Sequence, residues 1–230
     1  MRRALVIATW LTVLGAAGSA LAQQAAAPAE GRGRGAGPAR RPGLFFREEW
    51  KQTDKGGEHP VLPESVANPN LELKLYGVSK DVLLTGAAGD DNNPIHVWTG
   101  VCTSPCAVAL RDKTNMADLT GLARIRWTTK ESGFHQVRPI VKLADGRWLV
   151  GDHADGTTAD WRVSEINYSE LRWLVLDIDK VVTKGNFVAN VDLSKVDEIG
   201  FVDLMPGSGH GAGGWSDVGP IEVFANAVKR

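Results

Sequence analysis

The sequence predicts an all-β protein, an antiparallel β-sandwich of the jelly-roll kind with few short helices. Three observations carry this. Short runs with period-two alternation recur between Gly-, Pro- and Asx-rich turns. No long segment places apolar residues at helical spacing. No internal repeat of roughly 20–50 residues runs through the chain, which sets propellers and solenoids aside.

The first residues read as an address. Met1-Arg2-Arg3 is followed by an apolar run from Ala4 to Val13, and Ala20-Leu21-Ala22 matches a small-x-small cleavage rule. The run is broken by Gly15, Gly18 and Ser19, too soon for the roughly 20 apolar residues a bilayer span needs. Residues 1–22 are therefore expected to be a signal peptide, leaving an exported protein, periplasmic or secreted, with no membrane span after cleavage. Residues 23–43, rich in Gly, Ala, Arg and Pro, hold no large apolar side chain and read as a disordered linker. Residues 44–230 form one sandwich domain, a size that supports a full core.

Charge narrows the partners. The chain has 26 basic and 27 acidic residues; setting aside the six arginines and Glu30 that precede Leu44 leaves 20 against 26. Nucleic acid, which is bound through a basic stripe, is excluded on that balance. The only cysteines, Cys102 and Cys106, flank a tight Pro105 turn, and export to an oxidising compartment makes a structural disulfide the expectation.

Strands follow in order. Residues 71–76 alternate leucines with Glu, Lys and Tyr after an Asn-Pro-Asn turn, and residues 95–98 make a short strand. Residues 123–127 set Ala, Ile and Trp against Arg124 and Arg126. Residues 137–143 set Val137, Pro139, Val141 and Leu143 against Arg138, Ile140 and Lys142. Asp145-Gly146 is a hairpin turn into residues 148–151. Residues 171–182, 198–204 and 221–224 complete the set, with short helical or turn segments at 168–172 and 192–196.

Alternation with charged residues facing away from the core predicts a solvated sheet face. Arg138 and Lys142 stand on it, and Trp148, His153, Trp161, His210 and Trp215 are the groups placed to meet a ligand there. Rings beside hydrogen-bonding charges suit a sugar, whose C–H face meets an aromatic ring and whose hydroxyls meet Asp, Arg or His. The 151–156 loop, GDHADG, brings Asp152, His153 and Asp155 together. Asp152, His153 and Arg138 are the candidates if the face is catalytic. The glycine-rich stretch from Met205 to Asp217 is expected to close over this face.

The segments DLTGLARIRWTTK, FHQVRPIVKLADGRW, VDLSKVDEIGFVDL and GWSDVGPIEVFA resemble the galactose-binding-like jelly-roll domains of secreted carbohydrate-binding modules. The likeness covers residues 118–224, and the opening LFFREEW resembles a group of uncharacterised exported bacterial proteins. It implies carbohydrate binding and a structural calcium, for which Asp217 and Glu222 are the candidate ligands. Two other readings use the same face. One is a glycan-processing hydrolase or lyase, similar in setting to the secreted 3-keto-disaccharide hydrolases; the other is an envelope protein-interaction domain.

Overall fold

The computed structural model describes residues 41–52, 59–86, 92–209, 211 and 213–230. The expected signal peptide and all but the last residues of the expected linker lie outside them, as does His210. The chain runs through β1 (Leu44–Glu48), β2 (His59–Pro60), β3 (Leu71–Gly77), the short helix α1 (Ser79–Val82) and β4 (Leu84–Gly86). It continues through β5 (His96–Trp98), β6 (Cys106–Asp112), β7 (Asn115–Asp118), β8 (Arg124–Glu131), β9 (Val137–Leu143) and β10 (Trp148–Gly151). It closes with β11 (Arg162–Asn167), β12 (Trp173–Asp177), β13 (Val182–Val188), β14 (Val196–Asp203), β15 (Ser216–Phe224) and β16 (Asn226–Lys229).

Two antiparallel sheets make the sandwich. The smaller has seven strands in the order β11-β8-β15-β5-β4-β2, with β1 also paired to β15; the larger has nine, in the order β13-β12-β10-β9-β14-β6-β3. The pair β7 and β16 joins the larger sheet beside the start of β14. Inward-facing residues such as Ile125, Trp127, Val141, Leu149, Phe201 and Ile221 form the main core between the layers. Their spacing follows from the pleat, because residues two apart share a face. Thus β8 buries Ile125, Trp127, Thr129 and Glu131 and turns Arg124, Arg126 and Thr128 outward.

The expected run over residues 171–182 is two strands. A 3₁₀ turn at Tyr168–Glu170 precedes β12, and the chain reverses after Asp177 into β13. Residues 192–195 are irregular, with a bend at Ser194-Lys195, rather than helix. Strand β13 is an edge strand, paired only to β12 with a shifted register, and its Gly185 takes a left-handed conformation at φ 68°.

The outer face of the larger sheet is not the open surface that alternation predicts. A second apolar cluster, with Ile140, Trp148, Val150, Leu176, Val181 and Val202 at its heart, covers its middle. The β12–β13 turn folds over this face and buries Val181. Gly77 makes the seat: a Cβ there would lie 2.6 Å from Val181 Cγ2. Val181 itself sits at φ 52°, a conformation that costs a β-branched residue energy, so packing of the turn outweighs local preference.

Cys102 and Cys106 are buried free thiols rather than a disulfide in this structure. A hydrogen bond with Cys102, together with burial, pushes the Cys106 thiol pKa well up. Among the described residues no helix is long and apolar enough to cross a membrane.

Candidate functional site

Strand β9 delivers Arg138 and Lys142 to the outer face of the larger sheet, and β10 sets Trp148 opposite Lys142. Lys142 Nζ donates to Glu198 Oε1 at 2.7 Å and lies 3.4 Å from Asp197, so it is held in an ion-pair network. Tyr76 donates its hydroxyl to the other Glu198 oxygen at 2.6 Å, and its ring meets Trp148 edge-on at 4.9 Å. Trp148 is 6% exposed and belongs to the second apolar cluster. Arg138 is half-buried, and among the described residues its Nε has no hydrogen-bond partner. Burial pulls its pKa down, an effect the nearby Asp152 charge opposes.

The other predicted aromatics lie elsewhere. Trp161 precedes β11 of the smaller sheet and is partly exposed, its ring 5.1 Å from that of His96. Trp215 precedes β15, and its carbonyl accepts from Ser132 N at 2.9 Å. One sheet face therefore does not gather Trp148, Trp161 and Trp215. The glycine-rich stretch docks on the sandwich end: Gly207 N donates to Cys102 O and Gly209 N to Gly100 O, each at 2.7 Å. There Gly133 and Gly214 allow backbones to touch, since a Cβ on Gly214 would lie 2.0 Å from Ser132 O.

The two candidate metal ligands lie apart. Asp217 stands opposite Lys130 and Glu222 opposite Arg126, four residues along β8, a separation of about 13 Å at roughly 3.3 Å per residue. Asp217 faces His96 at 3.6 Å, and Glu222 pairs with Arg47 and Arg126. These carboxylates do not converge on one ion. Among the described residues no group of three or more His, Cys, Asp and Glu side chains is arranged to hold one.

The structure does bring Arg138, Asp152 and His153 to one corner. Asp152 follows β10, and Gly151 lets the chain pass there: a Cβ would lie 3.0 Å from Pro139 Cγ and 3.1 Å from Leu171 Cδ1. Asp152 Oδ1 accepts from Arg172 N at 2.9 Å and Oδ2 from Arg172 Nε at 2.7 Å. Burial works to raise the Asp152 pKa, but those bonds and the Arg172 charge outweigh it and hold the carboxyl below its usual range. His153 is exposed, its Nε2 3.5 Å from Asp155 Oδ1. Asp152, His153, Glu165 and Glu170 line a cleft of about 360 Å³, with Ile166 and Leu171 as its apolar members.

No protein-family model matches the chain, and no curated protein matches it. Solved structures of low identity superpose on it. One is the family 11 carbohydrate-binding module of the cellulosomal cellulase Lic26A-Cel5E of Clostridium thermocellum, with TM-score 0.44 and 17% identity over 78% of this chain and 95% of that one. A second structure of the family 11 module from Clostridium thermocellum, in complex with a beta-1,3-1,4-mixed-linked tetrasaccharide, gives TM-score 0.44 and 16% identity over 80% and 98%. TmCBM61 in complex with beta-1,4-galactotriose gives 0.36 and 13% over 69% and 90%.

Behind the cleft lies a buried polar network that the sequence reading missed. Asp155, 3% exposed, accepts from Trp127 Nε1, from Arg162 Nη2 at 2.6 Å and from Ser164 Oγ at 3.0 Å. Asp203 bonds His135 Nδ1 at 2.7 Å and Thr99 Oγ1 at 2.8 Å, all fully or almost fully buried. Glu131 is 1% exposed, and both its oxygens lack a hydrogen-bond partner among the described residues. Burial drives its pKa up to about 8, the Thr129 hydroxyl opposes this, and the Asp155 charge adds to it. The signal was present in the sequence: Glu131 is in phase with Ile125 and Trp127, and Asp203 with Ile199 and Phe201. A charge in phase with core residues marks a buried polar site.

Proposed function

We propose that this protein binds a carbohydrate, in the cleft between the 151–155 loop and the Tyr168–Arg172 turn. One observation carries the reading: Asp152, held charged and oriented by two hydrogen bonds from Arg172, opens beside His153, Glu165 and Glu170 in a cleft that also presents Ile166 and Leu171. Fixed acceptors at such a site match the hydroxyl rim of a sugar, and their fixation removes part of the ordering cost of binding. Arg138, behind Asp152, supplies a half-buried donor to the same corner.

The test is retention on gels of immobilised polysaccharides. Asp152→Ala is expected to abolish retention of the full chain while circular dichroism stays near wild type and the melting temperature falls by only about a few degrees, from loss of the two bonds to the exposed Arg172. His153→Ala is expected to weaken it several-fold. A protein retained by no glycan across a broad panel would not be a carbohydrate binder. Trp148→Ala is not a useful probe, since emptying a buried tryptophan site costs about 3–5 kcal/mol.

A catalytic reading has one supporting contact, the backing of His153 by Asp155, which is how a general base is oriented. Asp152, held ionised by Arg172, serves there as base or electrostatic group and not as proton donor. Turnover of disaccharides that is lost in His153→Ala separates this from binding.

We further propose that residues 1–22 direct export and that Cys102 and Cys106 join after it. The two buried thiols share the 102–106 turn, close enough for Cys102 to push the Cys106 pKa up. Intact-mass measurement of protein isolated from the periplasm is expected to show the loss of two hydrogens and a new N-terminus near Gln23. A full-length, fully reduced mass overturns both.

A further inference from the structure

On the other side of the Tyr168–Arg172 turn lies a second cleft, of about 390 Å³. It is unlike the first. Its lining is chiefly aromatic and aliphatic, with Trp173, Phe187, Val191 and Leu193 among its walls. Phe187 is 45% exposed, a large apolar ring left open at an edge strand. The Arg172 guanidinium lies 4.2 Å from the centroid of that ring while its Nε is committed to Asp152. The cation at the mouth is therefore already matched by a carboxylate, so the cleft does not select for an anion.

Polar groups are present where a ring hydroxyl would need them. Ser169 and Asn190 are exposed members of the lining. Tyr168, also in the lining, is fully buried, and its hydroxyl has no hydrogen-bond partner among the described residues. The two clefts are neighbours: Leu171 lines both, and Arg172 of the second bonds Asp152 of the first.

We infer that the Phe187 cleft is a second sugar subsite, and that the ligand is a neutral oligosaccharide crossing the Tyr168–Arg172 turn. One ring lies against Phe187; another sits among Asp152, His153, Glu165 and Glu170. This rests on the carbohydrate reading above. The neutrality follows from the charges: Asp152 is matched by Arg172 and Glu165 by Arg124, and Glu170 offsets the half-buried Arg138, so the two clefts carry no excess of cations to hold a carboxylated or sulfated sugar.

Isothermal titration of the full chain with neutral gluco- and galacto-oligosaccharides, from monosaccharide to tetrasaccharide, tests it. Wild type is expected to gain about 10-fold or more in affinity once the chain is long enough to reach both clefts, a step of about 1.4 kcal/mol. Phe187→Ala is expected to flatten that dependence on chain length, Phe187→Tyr to preserve it, and Asp152→Ala to weaken binding at every length. No gain with length in wild type, or an equal loss at all lengths in Phe187→Ala, overturns the second subsite and leaves the first standing. Tighter binding of uronate oligosaccharides than of neutral ones overturns the charge argument. Silence from every saccharide removes the carbohydrate reading itself.

Discussion

Glu131→Gln is expected to stabilise this protein at pH 8 to 9 and to leave it nearly unchanged at pH 5. Glu131 is buried with its pKa raised to about 8, chiefly by burial, from a value near 4.5 in the unfolded chain. Between those two values the native state holds a proton that the unfolded state has released. Stability therefore falls as pH rises through that window, and the full penalty is present above pH 8. By linkage the penalty is on the order of a few kcal/mol. A glutamine carries no charge to desolvate and keeps the shape, so the variant does not share that fall. The measurement is a set of thermal melts at several pH values for both proteins. If Glu131→Gln lowers the melting temperature equally at every pH, Glu131 is held as a charged partner and the burial account fails.

Removing Asp155 has the opposite sign. Asp155→Ala is expected to cost about 3–5 kcal/mol, seen as a lower denaturation midpoint in urea with an unchanged slope. Four groups aim at that carboxylate: Trp127 Nε1, Arg162, Ser164 and, at 3.5 Å, His153. Trp127 is 1% exposed and has no water to turn to. A buried donor left alone costs roughly 1–3 kcal/mol, and the lost charge-assisted bond from Arg162 adds to it. A change below about 1 kcal/mol would mean that the network rearranges around the gap. Asp155→Ala should also weaken glycan retention, because the chain around Asp155 is bridged to Val137 and leads back to His153 and Asp152.

These two carboxylates show how far the sequence could be read. Alternation on β8 and β9 foretold which residues face inward, and the Asp145-Gly146 turn was legible because Gly146 takes φ 88° there. Period two also placed Arg138, Ile140 and Lys142 together on the outer face. It does not say what covers a face, and Trp148 is hidden by a turn from β12–β13, contributed more than 25 residues later. The split of residues 171–182 was illegible because an apolar run reads alike whether the chain continues or reverses. Asp152 and His153 were found because Gly and Asp around them mark a loop, yet the Arg172 that fixes Asp152 lies 20 residues from it, across a strand pairing. Phe187 was passed over because its strand is mostly polar, which is what an exposed edge looks like.

That edge bears on how copies of the chain behave near one another. Strand β13 has one side of its backbone unpaired, an arrangement that in other proteins recruits a strand from a neighbouring molecule. Here the rim is bent by the shifted register and by Gly185, and Lys184 projects from it in an ion pair with Asp177. A second molecule would have to straighten the rim and strip water from a charge before pairing. Crowded copies thus meet a kinked, hydrated border instead of a template, and the aromatic ring beside it stays free.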